Sequence, residues 1–169
     1  MELRDLSIED LPLYERMLTD PGMMAELGGP LPRDGLWTKF QEVVASVQDG
    51  SVWYFKIVPN ERTGEAAGTV CVWEHEWMGA RINEIGWMVL PIHQGRGLAS
   101  QAVRAVLERA RSEGRWDVIH AFPAISNAAS NAICRKTGFI HLEECDFEYA
   151  GRILRCNNWQ VDLRAAPRA

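Results

Sequence analysis

The sequence predicts an α/β protein in which helices flank a mixed sheet (an α+β mixed sheet), in the order β-α-α-β-β-β-α-β-α-β-β. Two observations carry that prediction. The apolar run Ile85-Gly86-Trp87-Met88-Val89-Leu90 stops at Pro91, turns through Gly95-Arg96-Gly97, enters a helical pattern and leads to a second apolar run over residues 116–122. A crossover through a helix joins parallel strands. Elsewhere strand-like runs follow one another across tight turns, at residues 60–64 and at Ala150-Gly151, and such turns join antiparallel strands. One sheet therefore has to hold both kinds of pairing. The 169 residues suffice to bury a core and fit one domain, expected over residues 1–165 with 166–169 as a flexible tail.

Residues 3–7 read as a short first strand. Ser7-Ile8-Glu9-Asp10 has the form of a capping box, after which Leu11, Tyr14, Met17 and Leu18 repeat at helical spacing up to Asp20-Pro21-Gly22. Beyond the stiff Gly28-Gly29-Pro30-Leu31-Pro32 loop, Trp37, Phe40, Val43, Val44 and Val47 mark a second amphipathic helix closed by Asp49-Gly50. Residues 51–59, 65–77 and 81–90 read as strands, the second with a bulge expected at Gly68. The helix after the glycine turn carries Leu98, Ala102, Val103, Val106, Leu107 and Ala110 on one side, with Arg104, Glu108, Arg109 and Arg111 around the other. Residues 116–122 form a strand, a short helix follows, and residues 139–149 and 152–163 make a last hairpin.

Composition narrows the function classes. A net charge of −5 argues against non-specific binding to nucleic acid. The four cysteines form no Cys-x-x-Cys pair, so their spacing suggests neither a disulfide framework nor a zinc site, and no metal is expected. Reduced cysteines, a start without an apolar signal core and no run near the ~20 apolar residues of a membrane span lead to the expectation of a cytoplasmic protein without membrane contact.

The turn at residues 94–100 carries the first functional inference. A glycine-rich turn between strand and helix leaves several N–H groups unpaired beside the positive end of a helix dipole, a place that binds phosphate or pyrophosphate. No Gly-Lys pair occurs in the chain, which removes the Walker phosphate loop. Ser100 stands where a dinucleotide fingerprint needs its third glycine. What fits is Gln94-x-x-Gly97-x-Ala99, which resembles motif A of the GNAT N-acetyltransferases, whose loop binds the pyrophosphate of coenzyme A.

A second segment supports the same resemblance. Asn127-Ala128-Ala129-Ser130 at a helix start and Gly138-Phe139 at its end look like the family's motif B. Asn127 suits an N-terminus, and Lys136 with Gly138 suits a C-terminus. Asn127, Ser130, Asn131 and Cys134 fall on one face, a polar stripe that a pantetheine arm would explain and that a solvated face would also explain. The resemblance spans roughly residues 1–165 and implies the GNAT fold, in which the central strands splay to admit the pantetheine. By position, it implies main-chain contacts to the pantetheine from Trp87, Met88 and Val89. It implies a pyrophosphate cradle from Gly95, Arg96, Gly97, Leu98, Ala99 and Ser100, with Gln94 bracing the loop and Asn127 touching the pantetheine from the other side. Acetyl-CoA is the implied donor, and an amine the implied acceptor.

The chemistry needs a neutral amine. A lysine-like amine costs roughly 4–5 kcal/mol to deprotonate at pH 7, an α-amino group only about 1. The family's usual solution is direct attack with a carboxylate base. Glu84, at the start of the strand entering the loop, is the candidate base; the alternative is that it only ends a hairpin. The stretch Val118-Ile119-His120-Ala121-Phe122, the other place where relatives carry a base, holds no carboxylate, only His120, which is read as structural. Glu74-His75-Glu76 matches no metal spacing and reads as a half-solvated strand end or acidic substrate lining. Many relatives carry Tyr where this chain has Cys134, so Cys134 and Ser130 are candidates to assist the leaving thiolate, Cys134 alternatively only packing there. The small residues there resemble the RimJ/RimL-like branch. For the acceptor, Glu26, Asp34, Glu144 and Asp146 could attract a cation, with Trp37 and Trp77 as faces for it. Three readings stay open: an enzyme acting on a small amine, an enzyme acting on a protein N-terminus, and a catalytically idle acyl-CoA-binding sensor. Assembly as a homodimer is compatible with each.

Overall fold

In the computed structural model the residues described are 1–60 and 62–165; the expected tail at 166–169 lies outside them. The order of elements is the one the sequence predicts: β1 (Glu2–Asp5), α1 (Leu11–Thr19), α2 (Leu36–Gln48), β2 (Trp53–Val58), β3 (Gly68–Trp77), β4 (Ala80–Val89), α3 (Leu98–Glu113), β5 (Val118–Ala121), α4 (Ala128–Lys136), β6 (Ile140–Tyr149) and β7 (Arg152–Asp162). The strands form one seven-stranded sheet in the order β1-β2-β3-β4-β5-β7-β6. Its β4–β5 pair is parallel and the others are antiparallel.

The two faces of the sheet bury different helices. On one face Val70, Val72, Ile85 and Ile119 pack against Leu98, Ala102, Val103, Val106, Leu107 and Ala110 of α3. Those six are the apolar side that the 3.6-residue period assigns to this helix, and all are buried. On the other face Tyr14, Leu18, Leu36, Phe40 and Val44 of α1 and α2 gather with the half-buried Tyr54, Met88 and Tyr149. Along β4 the two-residue period sends Trp87 and Val89 to the α3 side and Met88 to the α1–α2 side.

The chain enters α1 through a 3-10 turn at Ile8–Asp10. There the Ser7 amide donates to Asp10 Oδ2 at 2.8 Å, and Lys56 of β2 donates to Asp10 Oδ1 at 2.8 Å. The capping box thus ties the first helix to the sheet as well as closing its own N-terminus.

Gly68 is not a bulge. It pairs in regular register with Ile57 on one side and Val89 on the other. Its glycine serves close approach: a Cβ there would lie 2.0 Å from the Met88 carbonyl oxygen. The irregularity falls in β6 instead, where the register shifts between His141 and Glu143.

The feature that shapes the molecule is the junction of β4 and β5. They are in register at one pair, Glu84 with His120. Beyond it, among the described residues, Ile85–Val89 run on with no strand partner on that side, and β5 ends at Ala121. A wedge opens between them.

Gly68→Ala is expected to lower stability by about 3 kcal/mol, because the new methyl meets a rigid backbone carbonyl. Urea unfolding monitored by tryptophan fluorescence measures it.

Candidate active site

The wedge widens into a cleft of about 1170 Å³ between β4, the turn after it, the N-terminal half of α4 and the α1–α2 side of the sheet. Of the residues assigned to the cofactor by position, Trp87, Met88, Val89, Gln94, Gly95, Gly97, Leu98, Ala99, Ser100 and Asn127 line it. Arg96 does not, and its side chain is exposed.

The turn is built for an anion. Gly95 and Gly97 have φ of 72° and 75°, a left-handed backbone that glycine adopts without strain. The first helical bond of α3 runs from Gln101 N–H to Gly97 O at 3.0 Å, which leaves the N–H groups of Leu98, Ala99 and Ser100 at the open end of the helix. The Gln94 side-chain amide donates to Val89 O at 2.9 Å and so braces the turn against the end of β4.

Helix α4 divides its polar stripe between two surroundings. Asn127 caps it, its Oδ1 accepting from Ser130 N–H at 3.0 Å, and both residues line the cleft. Asn131 and Cys134 turn inward. Asn131 Oδ1 accepts from Trp159 Nε1 at 2.9 Å and from Asn157 Nδ2 at 2.8 Å, while its amide nitrogen donates to Ala124 O and Asn127 O at 2.9 and 2.8 Å. Asn131 is thus a buried bolt joining α4 to β7. Cys134 is 0% exposed within the α3-side core and does not line the cleft. Burial, the largest cause, pushes its thiol up to about 12. This corrects the expectation that Cys134 faces the pantetheine or serves the leaving thiolate. Gly138, with φ of 90°, closes the helix: Phe139 N–H reaches Cys134 O at 3.0 Å.

Glu84 sits where the strands part. It is 8% exposed and lines the cleft. Burial alone pushes its carboxyl up to about 8. Its Oε2 lies 3.6 Å from Nε2 of His75. Burial first, and then His120, hold the His75 imidazole below its ordinary value. At pH 7 both groups are therefore mainly neutral, and the contact is not an ion pair. His120 is structural: Nδ1 meets Asn158 Oδ1 at 2.9 Å and Nε2 meets the Gln160 amide at 3.2 Å. Period-two alternation alone puts His75 on one face of its strand, but the register that brings it to Glu84 is a tertiary property.

The acceptor side of the cleft is lined by Glu26, Glu74, His75, Phe147, Glu148 and Tyr149. Of the residues expected there, Glu26 is present. Glu144 and Asp146 are paired instead with Arg155, at 3.3 and 3.2 Å. Asp34, Trp37 and Trp77 do not line the cleft, and Trp77 packs against Phe122 at 5.1 Å. Among the described residues no cluster of His, Cys, Asp and Glu could hold a metal, and no helix is long and apolar enough to cross a membrane.

A turn with open N–H groups at the mouth of a parted sheet, with a buried carboxyl at the fork, suits the transfer of a group carried on a phosphate-bearing cofactor. The family model for the acetyltransferase (GNAT) domain matches residues 1–140, and the chain belongs to that family of N-acetyltransferases. It is 26% identical over 128 residues to YkkB of Bacillus subtilis (strain 168), covering 75% of this chain and 73% of that protein. Its fold is similar to that of spermidine N-acetyltransferase from Vibrio cholerae in complex with CoA and spermine, with a TM-score of 0.78, 18% identity and coverage of 96% and 95%. It is also similar to that of RimL, a ribosomal L7/L12 alpha-N-protein acetyltransferase in complex with coenzyme A, with a TM-score of 0.76, 20% identity and coverage of 95% and 92%.

Cys134→Ala is expected to keep the parent's turnover while losing about 1–2 kcal/mol of stability to the small cavity. Steady-state rates and denaturant midpoints check the two halves. The parent Cys134 thiol is expected to react with an aromatic disulfide reagent only as the protein unfolds.

Proposed function

We propose that the protein moves the acetyl group of acetyl-CoA to a primary amine by direct attack, with Glu84 as general base. The observation that carries this reading is a nearly inaccessible carboxyl, without a hydrogen-bond partner for Oε2 among the described residues, on the floor of the cleft where the strands part.

Acetyl-CoA is the donor substrate in this reading. The open N–H groups of α3 and its turn hold the pyrophosphate, and the free edge of Trp87, Met88 and Val89 receives the pantetheine amides as a further strand would be received. Asn127 closes on the pantetheine from α4. The thioester supplies an activated acyl carbon, and the residues of the chain supply placement and proton transfer. Glu84, as carboxylate, takes the proton from the attacking nitrogen. Its pKa near 8 suits that work, since a base is most effective when its pKa lies close to the working pH. Ser130 lines the cleft one turn into α4 and is the hydroxyl we assign to the departing thiolate.

Carboxylates on the acceptor side favour a cationic acceptor at the point of encounter. Among proteins of similar fold, one acetylates spermidine and another a ribosomal protein N-terminus. Both acceptor classes fit an enzyme of this kind. A thiol-release assay over amines and N-terminal peptides decides between them. Absence of turnover with every acceptor, together with tight acetyl-CoA binding, would return the idle sensor reading.

Glu84→Gln is expected to cost a factor on the order of 100 or more in kcat at pH 7. The parent's kcat/KM should climb with pH and level off near the carboxyl's pKa of about 8. The variant should lose that inflection and climb towards the acceptor's own pKa.

A second readout comes from linkage. The folded pKa of Glu84 is raised above its unfolded value, so its contribution is fully present below about pH 4.5, falls as pH rises towards about 8 and is flat above that. Glu84→Gln should therefore be more stable than the parent at pH 8 by a few kcal/mol, and the gap should close at pH 4. Denaturant curves at the two pH values measure it.

A further inference from the structure

Two side chains on the floor of the cleft face each other without partners. His75 of β3 and Glu84 of β4 project from the same face of neighbouring strands, with Nε2 and Oε2 3.6 Å apart. Both atoms are shut off from solvent, and neither has a hydrogen-bond partner among the described residues. Unpaired buried polar atoms carry a desolvation penalty, and a small side-chain rotation that brought these two within hydrogen-bond distance would relieve both. Catalytic hydrogen bonds are often long in the free enzyme and shorten with substrate bound.

A base as enclosed as Glu84 needs a way to discharge the proton it collects. His120, its register partner, cannot provide one, because both its ring nitrogens are engaged by Asn158 and Gln160. His75 can. Its side chain is 27% exposed and lines the cleft, so the ring joins the buried carboxyl to solvent. Phe147 packs against the ring at 5.6 Å and fixes its plane.

We propose that His75 is the group to which Glu84 passes the proton taken from the acceptor amine. The proposal rests on Glu84 being the base. In the first step the N–H bond of the acceptor breaks, its electron pair stays on nitrogen, and an O–H bond forms on Glu84. In the second, that proton moves from Oε2 to Nε2 of neutral His75, giving carboxylate and imidazolium. Loss of the Nδ1 proton to water restores a neutral ring, and exchange through water returns the starting tautomer. The proton that left the amine is balanced by the one that reaches solvent, and nothing is oxidised or reduced.

The surroundings do not compete for that proton. Cys71 on β3, Tyr149 on β6 and Cys156 on β7 are close enough to Glu84 to interact with its charge, and burial holds all of them above their ordinary values, Cys71 and Cys156 up to about 12. His120 on β5 is held as described, and Glu26, Glu74 and Glu148 lie among the cleft's lining residues.

The test compares His75→Ala and His75→Gln with the parent, each also in a Glu84→Gln background, with melting curves to confirm folding. The relay predicts a fall in kcat of at least about tenfold in both single variants, with the KM for acetyl-CoA unchanged. Added imidazole should restore turnover to His75→Ala, and His75→Ala should cost nothing further once Glu84 is Gln. Should His75→Ala fail to fold, the better volume match of His75→Gln carries the test: parental kcat with an unchanged pH profile overturns the relay. So does a slow His75→Ala that imidazole cannot rescue, or a loss of undiminished size in the Glu84→Gln background. If Glu84→Gln itself turns over like the parent, the base assignment falls and takes the relay with it. A slow Glu84→Gln beside fully active His75 variants sinks the relay alone.

Discussion

The parting of β4 from β5 is the constraint on which the site depends, and the neighbours of both strands enforce it. β4 is paired with β3 along its whole length, from Ala80 against Trp77 to Val89 against Gly68. β5 is paired with β7 from Val118 to Ala121. Past Ala121 the chain keeps to β7: Asn157 N–H donates to Pro123 O at 2.9 Å, and Ile125 N–H donates to Arg155 O at 3.0 Å. Each strand is thus committed to its outer neighbour, and past one register pair the two diverge. The cost is a central sheet edge where, among the described residues, Ile85–Val89 have no strand partner, which folded proteins tolerate where a side chain, ligand or water answers the backbone groups; Val89 O is answered by the Gln94 amide. In the proposed reading the extended amides of a pantetheine answer others.

The same parting sets the electrostatics. Glu84 stands at the last paired position, where a carboxyl is enclosed by sheet but open to whatever enters the wedge. Among the described residues burial alone moves its proton affinity, with no cation holding it ionised. A surface carboxylate would be ionised at pH 7 but a weak base; an enclosed one is a stronger base and destabilises the fold when it ionises. Stability lost at such a position and proton affinity gained there have one physical origin. The capping of α4 by Asn127 and the four bonds of Asn131 stand on the other side of that balance, since they satisfy buried polar groups close to the cleft.

What was legible in the sequence was what periodicity and turn chemistry encode. The buried side of α3 could be read residue by residue, because a 3.6-residue period has one solution on an amphipathic helix. The turn at Gly95 and Gly97 could be read because only a few backbone paths join a strand to a helix there. The polar stripe on α4 was misassigned in part. Its spacing establishes a shared face but not what that face meets, and Asn131 is as well satisfied by a tryptophan N–H and two carbonyls as by a ligand. Gly68 was read as a bulge because glycine within a strand has two uses, and only the register with Met88 separates them. His75 reads from the sequence only as part of a half-solvated strand end or substrate lining, for a similar reason: its partner is on another strand, and register is set by the whole sheet.

The two halves of the cleft differ in how they are held, and this bears on the acceptor. The donor half is made by core strands and by a helix whose buried side is continuous with the sheet. The acceptor half is assembled from the segment after α1 and the β6–β7 hairpin. Part of their contact is apolar, since Met24, Leu27 and Leu31 gather with Tyr149 in the α1–α2 core, and part is polar and exposed: Arg152 donates to the Gly28 carbonyl and, at 2.9 Å, to that of Gly29, while Ser126, in the loop before α4, donates its hydroxyl to Glu26. Exposed contacts of that kind contribute little each and exchange readily with water. The far wall is thus held partly by core packing and partly by contacts that exchange with water, whereas the turn after β4 rests on α3, whose buried side is continuous with the sheet. In the proposed reading acceptor specificity depends on that far wall, and no motif spacing encodes it, so the acceptor has to be found by assay.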